Sequence, residues 1–282
     1  MRGQETKIAI LFAATMLCAN GQWLNYPAPG TPRTRDGKPN LSAPAPHLSN
    51  GKPDLSGVWV VEAPAPGVLE RIVGDLSVFV VPGDDPRVFS PYFFNILGDF
   101  KRGEEPMRPE AAAVLRTRAE RHGVDFPGTR CLPMGIPAAT FIAVPFKIIH
   151  TPGLMAMLYE VDSTHRQIYT DGRKLPGELQ PAWLGYSVGK WEGDTLVVDT
   201  AGFNDLGWLD VFGHPQSEAL RIQERFRRRD FGHLEIQITI DDAKNYTKPF
   251  TVKVNHLLVP DSDILESFCN ENEKDQTHFV LK

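Results

Sequence analysis

Alternation of apolar and polar residues dominates the second half of the chain. Over His233 to Ile240, Leu234, Ile236, Ile238 and Ile240 share one face, and Glu235, Gln237 and Thr239 share the other. That period of two marks a strand with one packed side, although periodicity alone does not say which side that is. Comparable runs lie at Leu55–Val61, Phe146–His150, Leu154–Val161, His165–Thr170, Tyr186–Trp191, Thr195–Thr200, Glu218–Arg228, Phe250–Val259 and Asp263–Cys269. Turn residues separate them: Pro152-Gly153, Asp171-Gly172-Arg173, Glu192-Gly193-Asp194, Arg229-Asp230-Phe231-Gly232 and Pro260-Asp261-Ser262. No helical crossover intervenes from Phe146 onward, so about nine strands there, after a first at Leu55–Val61, predict a mainly β fold, an antiparallel meander closed as a lipocalin-like β-barrel. One helix is predicted at 109–122, with Pro109 in its first turn, alanines through its body and Gly123 as its cap.

The amino-terminal part lacks this alternation. Arg2 and Lys7 precede an apolar run from Ile8 to Ala19, and Ala19-Asn20-Gly21 supplies small residues where a signal peptidase reads. The run falls short of the roughly 20 residues a membrane-spanning helix needs, so a cleaved signal peptide at 1–21 is preferred to an uncleaved anchor. Residues 22–53 are rich in Pro, Ala, Ser and Gly with few large apolar side chains, and predict a disordered leader. A single barrel domain then occupies 54–282. The protein is expected to be periplasmic or secreted, without stable membrane insertion once the signal is removed. Export makes a disulfide between Cys131 and Cys269 the natural state of the two cysteines left, with two buried thiols as the alternative.

Composition narrows the partners. A formal net charge of -5 gives no reason to expect nucleic acid, and the basic run Arg225, Arg227, Arg228 and Arg229 is broken by Phe226 at a hairpin end. There is no His-Glu-x-x-His, no Gly-x-Ser-x-Gly, no phosphate loop and no dinucleotide fingerprint. Nothing therefore calls for a cofactor.

Four segments are distinctive: Gly189–Thr200 (GKWEGDTLVVDT), Glu224–Arg228 (ERFRR), Ile240–Phe250 (IDDAKNYTKPF) and Cys269–Glu273 (CNENE). Together they resemble a widespread family of secreted bacterial hypothetical proteins, over most of the chain from Asp54 to Asp275. The resemblance implies one coherent unit and supplies no chemistry. The chain departs from that pattern where such proteins carry a Pro-His-Ser-type step, since His214-Pro215-Gln216-Ser217 sets the histidine before the proline. Gly57-Val58-Trp59 on a first strand looks like the start of a lipocalin or another calycin barrel, in which tryptophan plugs the closed end.

Candidate chemistry is dispersed. His150, His165, Asp171, Arg173, His214 and Glu218 could gather at a barrel mouth as a metal-free acid–base set for elimination, isomerisation or hydrolysis. The histidines show no metal-ligand spacing. Trp183, Tyr186, Phe203, Trp208 and Phe212 could line a site for an apolar ligand, although barrel cores use aromatics as often. Glu271 and Glu273 offer a further carboxylate pair. The leading expectation is a barrel that binds a small, partly apolar molecule, its mouth formed by Ala201–Ser217 and His165–Arg173. An enzyme on the same frame and a cell-envelope interaction module without a cavity are the alternatives.

Overall fold

The computed structural model describes residues 27–74 and 89–269. The alternating runs become nine strands: β1 (Gly57–Val61), β2 (Phe146–Thr151), β3 (Leu154–Tyr159), β4 (His165–Tyr169), β5 (Tyr186–Glu192), β6 (Thr195–Ala201), β7 (Arg221–Arg228), β8 (His233–Asp241) and β9 (Phe250–Leu258). They follow one another around a closed barrel, with β1 pairing both β2 and β9. The mainly β, barrel-closed fold expected from periodicity is therefore what the chain forms.

Two details of the meander differ from expectation. β4 and β5 run parallel, in register at Ile168↔Ser187 and Tyr169↔Val188. The stretch between them contains Pro176 and Pro181, which cannot donate to a ladder, so it returns along the barrel before β5 begins. Residues 263–269 form no strand. β1 occupies the free edge of β9, leaving no ladder for another strand to join.

The barrel has two unlike ends. At the hairpin end lie the β2–β3, β5–β6 and β7–β8 turns together with the entry to β1. Gly57 is required there: its φ is 142°, and a Cβ would sit 2.4 Å from Leu258 Cδ1. Trp59 is fully buried and donates from Nε1 to Leu55 O at 3.1 Å, plugging this end beneath the Arg228 guanidinium, 5.0 Å from the ring. The other, insert end is covered by the chain between β1 and β2, which carries α1 (Val68–Val73), α2 (Pro91–Phe94), α3 (Pro109–Glu120) and α4 (Ala138–Phe141). α3 is the predicted helix, and only its Ala111 is buried. The three shorter helices bring Leu69, Phe93, Phe94 and Phe141 onto the same core as the barrel.

The expectation of disorder at 22–53 is corrected for its described part. Residues 27–53 form a strap with β-bridges Arg33↔Pro39 and His47↔Pro53. Phe231 N donates to Ala43 O at 2.7 Å and Gly232 N to Leu41 O at 2.8 Å, binding the strap to the β7–β8 turn. Apolar burial is slight, so backbone hydrogen bonds and the Arg33–Asp261 ion pair (2.6 Å) hold it, and a composition argument does not see them. The signal segment at 1–21 and Glu271 and Glu273 lie outside the described residues. Among the described residues no helix is long and apolar enough to cross a membrane. Cys131 and Cys269 are disulfide-bonded, with Cα atoms 5.3 Å apart.

Candidate functional site

The bore of the barrel is filled. Phe146, Ile148, Met155, Met157, Leu196, Phe226, Ile236, Ile238 and Val254 meet inside it and are buried. A small barrel closes on its own side chains in this way. The conspicuous exception to apolar filling is Arg166 on β4, which reaches across the three following strands. It donates from Nε to Ser187 Oγ (3.0 Å) on β5, from Nη2 to Thr200 Oγ1 (2.8 Å) on β6, and to both oxygens of Glu224 on β7, at 3.0 Å through Nη1 and through Nη2 to Oε2. Burial opposes the charge, but the Glu224 carboxylate outweighs it and holds the guanidinium above its ordinary range. Every donor that meets a carboxylate or hydroxyl here is internal, so the network occupies the bore without opening it.

At the insert end Asp210 is fully buried. Its Oδ2 accepts from Ile96 N (2.7 Å) and its Oδ1 from Gly213 N (3.0 Å) and His214 N (3.2 Å). His214 Nδ1 lies 2.6 Å from Oδ2, and that ring is buried too. Arg118 donates to Gly213 O at 2.9 Å and covers the Trp208 ring at 4.4 Å. These contacts fasten α2 and α3 to the 201–217 loop, so the loop proposed as an open mouth is instead packed under the insert.

Open space lies at the hairpin end, outside the bore. A groove of about 760 Å³ runs between the strap at Ala28–Thr31, the β1 entry at Asp54–Val58, and Leu258–Asp263 beyond β9. Pro29, Pro46, Val58, Phe231, Leu258 and Pro260 give it apolar walls. Its charges are held in place. Lys147 Nζ meets both oxygens of Asp263 at 2.9 and 3.0 Å and keeps that carboxyl below its usual range. Arg33 does the same for Asp261. Arg228 donates to four carbonyls, those of Asp54 (2.6 Å), Ser56 (3.1 Å), Asp230 (3.3 Å) and Phe231 (3.2 Å), and burial pushes it down to about 10. Asp54 accepts through Oδ1 from Ser56 N at 2.9 Å. The carboxylates of Asp54, Asp261 and Asp263 are thus matched by Arg33, Lys147 and Arg228.

Comparison with family models, curated proteins and solved structures finds no match to this chain.

The acid–base candidates do not gather in one pocket. His150 ends β2 at the hairpin end, where its ring stacks on Trp191 with centroids 5.8 Å apart and burial lowers its pKa. His165 is exposed on β4. Asp171 and Arg173 pair at 2.6 Å on the outer wall, with Arg173 3.8 Å over the Tyr169 ring and donating to Tyr186 Oη at 3.0 Å. His214 is buried at the opposite end, and Glu218 is exposed beyond it. Of the aromatic candidates, Phe203 and Trp208 belong to the core, Phe212 packs partly buried against it, Trp183 is half-buried, and Tyr186 stacks on Tyr169 at 5.2 Å. Among the described residues no group of His, Cys, Asp and Glu is arranged to hold a metal ion.

The residues overlooked were Arg166, Glu224 and Arg228 in the barrel, and Asp54, Lys147 and Asp261 at the groove. A signal for the first three existed. In Arg221–Arg228 the alternation that buries Ile222 and Phe226 also turns Glu224 and Arg228 inward, and in β4 it sets Arg166 beside Ile168. The groove residues come from segments distant in sequence, which no local pattern links.

Proposed function

We propose that this chain is an exported binding protein that holds a small, uncharged, partly apolar molecule in the groove at the hairpin end, outside the barrel. The observation that carries the reading is that groove, about 760 Å³ of space beside a bore filled by side chains. Small-molecule sites commonly measure about 300–1,000 Å³, with apolar walls and a few fixed polar groups. Asp54 supplies a carboxylate oxygen for a donor on the ligand, and Phe231 supplies an aromatic surface. With Lys147 and Arg228 in the lining and Arg33 paired to Asp261 from beside it, the three lining carboxylates are nearly balanced, so an ion gains little net attraction, which favours a neutral ligand. The disulfide supports export, since such bonds persist in oxidising compartments. Catalysis is a poorer reading because its candidate groups are divided between the two ends and the outer wall.

Titration with the neutral fluorophore N-phenyl-1-naphthylamine tests this. Saturable enhancement at one site, little changed by added salt, is expected. Thr31→Trp, a half-buried groove residue, should abolish it with the far-UV spectrum intact, while Leu206→Trp, at a position 60% exposed and far from the groove, should not. Equal binding by Thr31→Trp, or none by the wild type, would sink the proposal.

A further inference from the structure

One wall of the groove is formed by a segment without a fully buried residue. From Val259 to Cys269 no residue is buried and none belongs to a strand. Pro260, Asp261, Ser262 and Asp263 line the groove. The chain then runs along the outside of the barrel to the β3–β4 turn, where Leu265 N donates to Glu160 Oε2 at 2.8 Å and Ser267 N to Ser163 Oγ at 3.0 Å. It ends at Cys269, bonded to Cys131 in the insert that covers the opposite end. Among the described residues the remaining holds on 261–267 are exposed hydrogen bonds, the exposed Lys147–Asp263 ion pair, of the kind that contributes little in water, and a half-buried contact at Asp261, which accepts from Ala28 N at 2.7 Å and pairs with Arg33. The cross-link is the only covalent one among the described residues, and it sits where a reductant can reach it: Cys269 is exposed and Cys131 half-buried.

We infer that the Cys131–Cys269 disulfide is a redox clasp for the groove, fixing its 260–263 wall when oxidised and releasing it when reduced. The inference rests on the binding reading above. A dithiol partner supplies the chemistry. One of its thiolates attacks a sulfur of the bond, giving a mixed disulfide and a free protein thiolate that takes up a proton. Its second thiol then displaces the other protein sulfur, leaving two protein thiols and the partner oxidised by two electrons to its disulfide. The barrel survives the exchange because neither cysteine lies on a strand and the closing β1–β9 ladder lies upstream of the released segment. If the released wall is in place about a tenth of the time, apparent affinity falls about tenfold.

N-phenyl-1-naphthylamine is titrated into the oxidised protein, the dithiol-reduced protein and the Cys131→Ser/Cys269→Ser variant, with amide hydrogen exchange followed in the same samples. Expected are a Kd about tenfold higher in the reduced protein, the same value in the double variant with no response to dithiol, and faster exchange confined to Leu265 and Ser267 and their neighbours. Unchanged affinity and exchange on reduction would overturn the clasp. So would loss of the far-UV spectrum on reduction, which would make the bond a staple of the whole fold. If the oxidised protein does not bind the probe, the groove reading falls, and the exchange pattern alone decides whether the bond holds this segment. Should the double variant not fold, the reduced wild type carries the comparison.

Discussion

Glu224→Gln tests whether the charge inside the barrel is as isolated from water as its geometry requires. Both members of the Arg166–Glu224 pair have side chains only 1% exposed, so the substitution leaves a guanidinium with two hydroxyls and one amide oxygen as partners and no counter-charge. One end of the new amide also presents N–H groups to Nη1 or Nη2, which are themselves donors. Breaking a buried pair from one side costs about 3–5 kcal/mol, a large share of the roughly 5–15 kcal/mol that holds a domain folded. With a urea slope of about 3 kcal/mol/M for a chain of this size, the midpoint should fall by roughly 1–2 M. The double replacement Arg166→Met/Glu224→Leu removes both charges at similar volume. Ser187 Oγ and Thr200 Oγ1 stay satisfied because they lie 3.0 Å apart and bond each other. It should fold within about 1 kcal/mol of the wild type, giving a coupling energy of at least about 2 kcal/mol. Urea unfolding of the oxidised wild type, Arg166→Met, Glu224→Leu and the double variant, followed by far-UV circular dichroism, closes the cycle. A loss below about 1 kcal/mol for Glu224→Gln would refute the reasoning, since an uncompensated buried cation cannot be that cheap. Simple additivity of the two singles would refute it as well.

Three further outcomes follow from single residues. His256 is fully buried, donating from Nε2 to Thr140 O at 3.0 Å with Nδ1 unpartnered, and burial pushes its pKa down to about 4 from 6.5. Its contribution to stability is complete above pH 6.5, is lost as pH falls from 6.5 towards 4 while only the unfolded chain takes up the proton, and levels off below; the loss is on the order of 3 kcal/mol. Urea midpoints across that range should show a shallower acid slope in His256→Gln, which can still donate to Thr140 O, and an unchanged slope would exclude this histidine as the source. Gly57→Ala combines a φ of 142° with a Cβ 2.4 Å from Leu258 Cδ1 and should cost about 2–3 kcal/mol; adding Leu258→Ala should recover none of the backbone part, so complete rescue would mean that the clash alone mattered. Asp210→Asn replaces a carboxylate that accepts three backbone amides and the His214 ring, and should destabilise by about 2 kcal/mol, seen first as faster exchange at the Ile96 amide.

What could be read in advance divides by the range over which each cause acts. The strands of the β7–β8 and β8–β9 hairpins were visible because one packed face imposes a period of two on neighbouring residues. The cysteine pair and the tryptophan plug were visible because each rests on a residue type with few alternative uses. The direction of β5 was not: Asp171-Gly172-Arg173 is a competent turn in composition, and only the prolines after it hint that the chain travels on. The α1, α2 and α4 helices have 6, 4 and 4 residues, too few to display a helical period, and tertiary contact with the barrel end specifies them. The site fared worst. Listing histidines and acids treats reactive side chains as though they would converge, whereas His165 and Glu218 are solvated and His214 is committed to Asp210. The groove is assembled from the strap, β1, β2 and the chain after β9, a meeting that only the closed barrel produces.

Closure itself has an arithmetic. Around a ring in which every neighbour runs the opposite way, up and down must alternate, and alternation returns to its starting direction only for an even number of members. Nine strands cannot satisfy that, so one parallel contact is obligatory, and it falls between β4 and β5. That junction has only two residue pairs in register, against eight between β7 and β8. The mismatch of parity is thus concentrated in one short seam, and the seam is where Arg166 leaves β4 to grip β5, β6 and β7 from within. If the wall of this barrel parts anywhere under load or heat, it should unzip there first, which makes an odd strand count a statement about the order of unfolding.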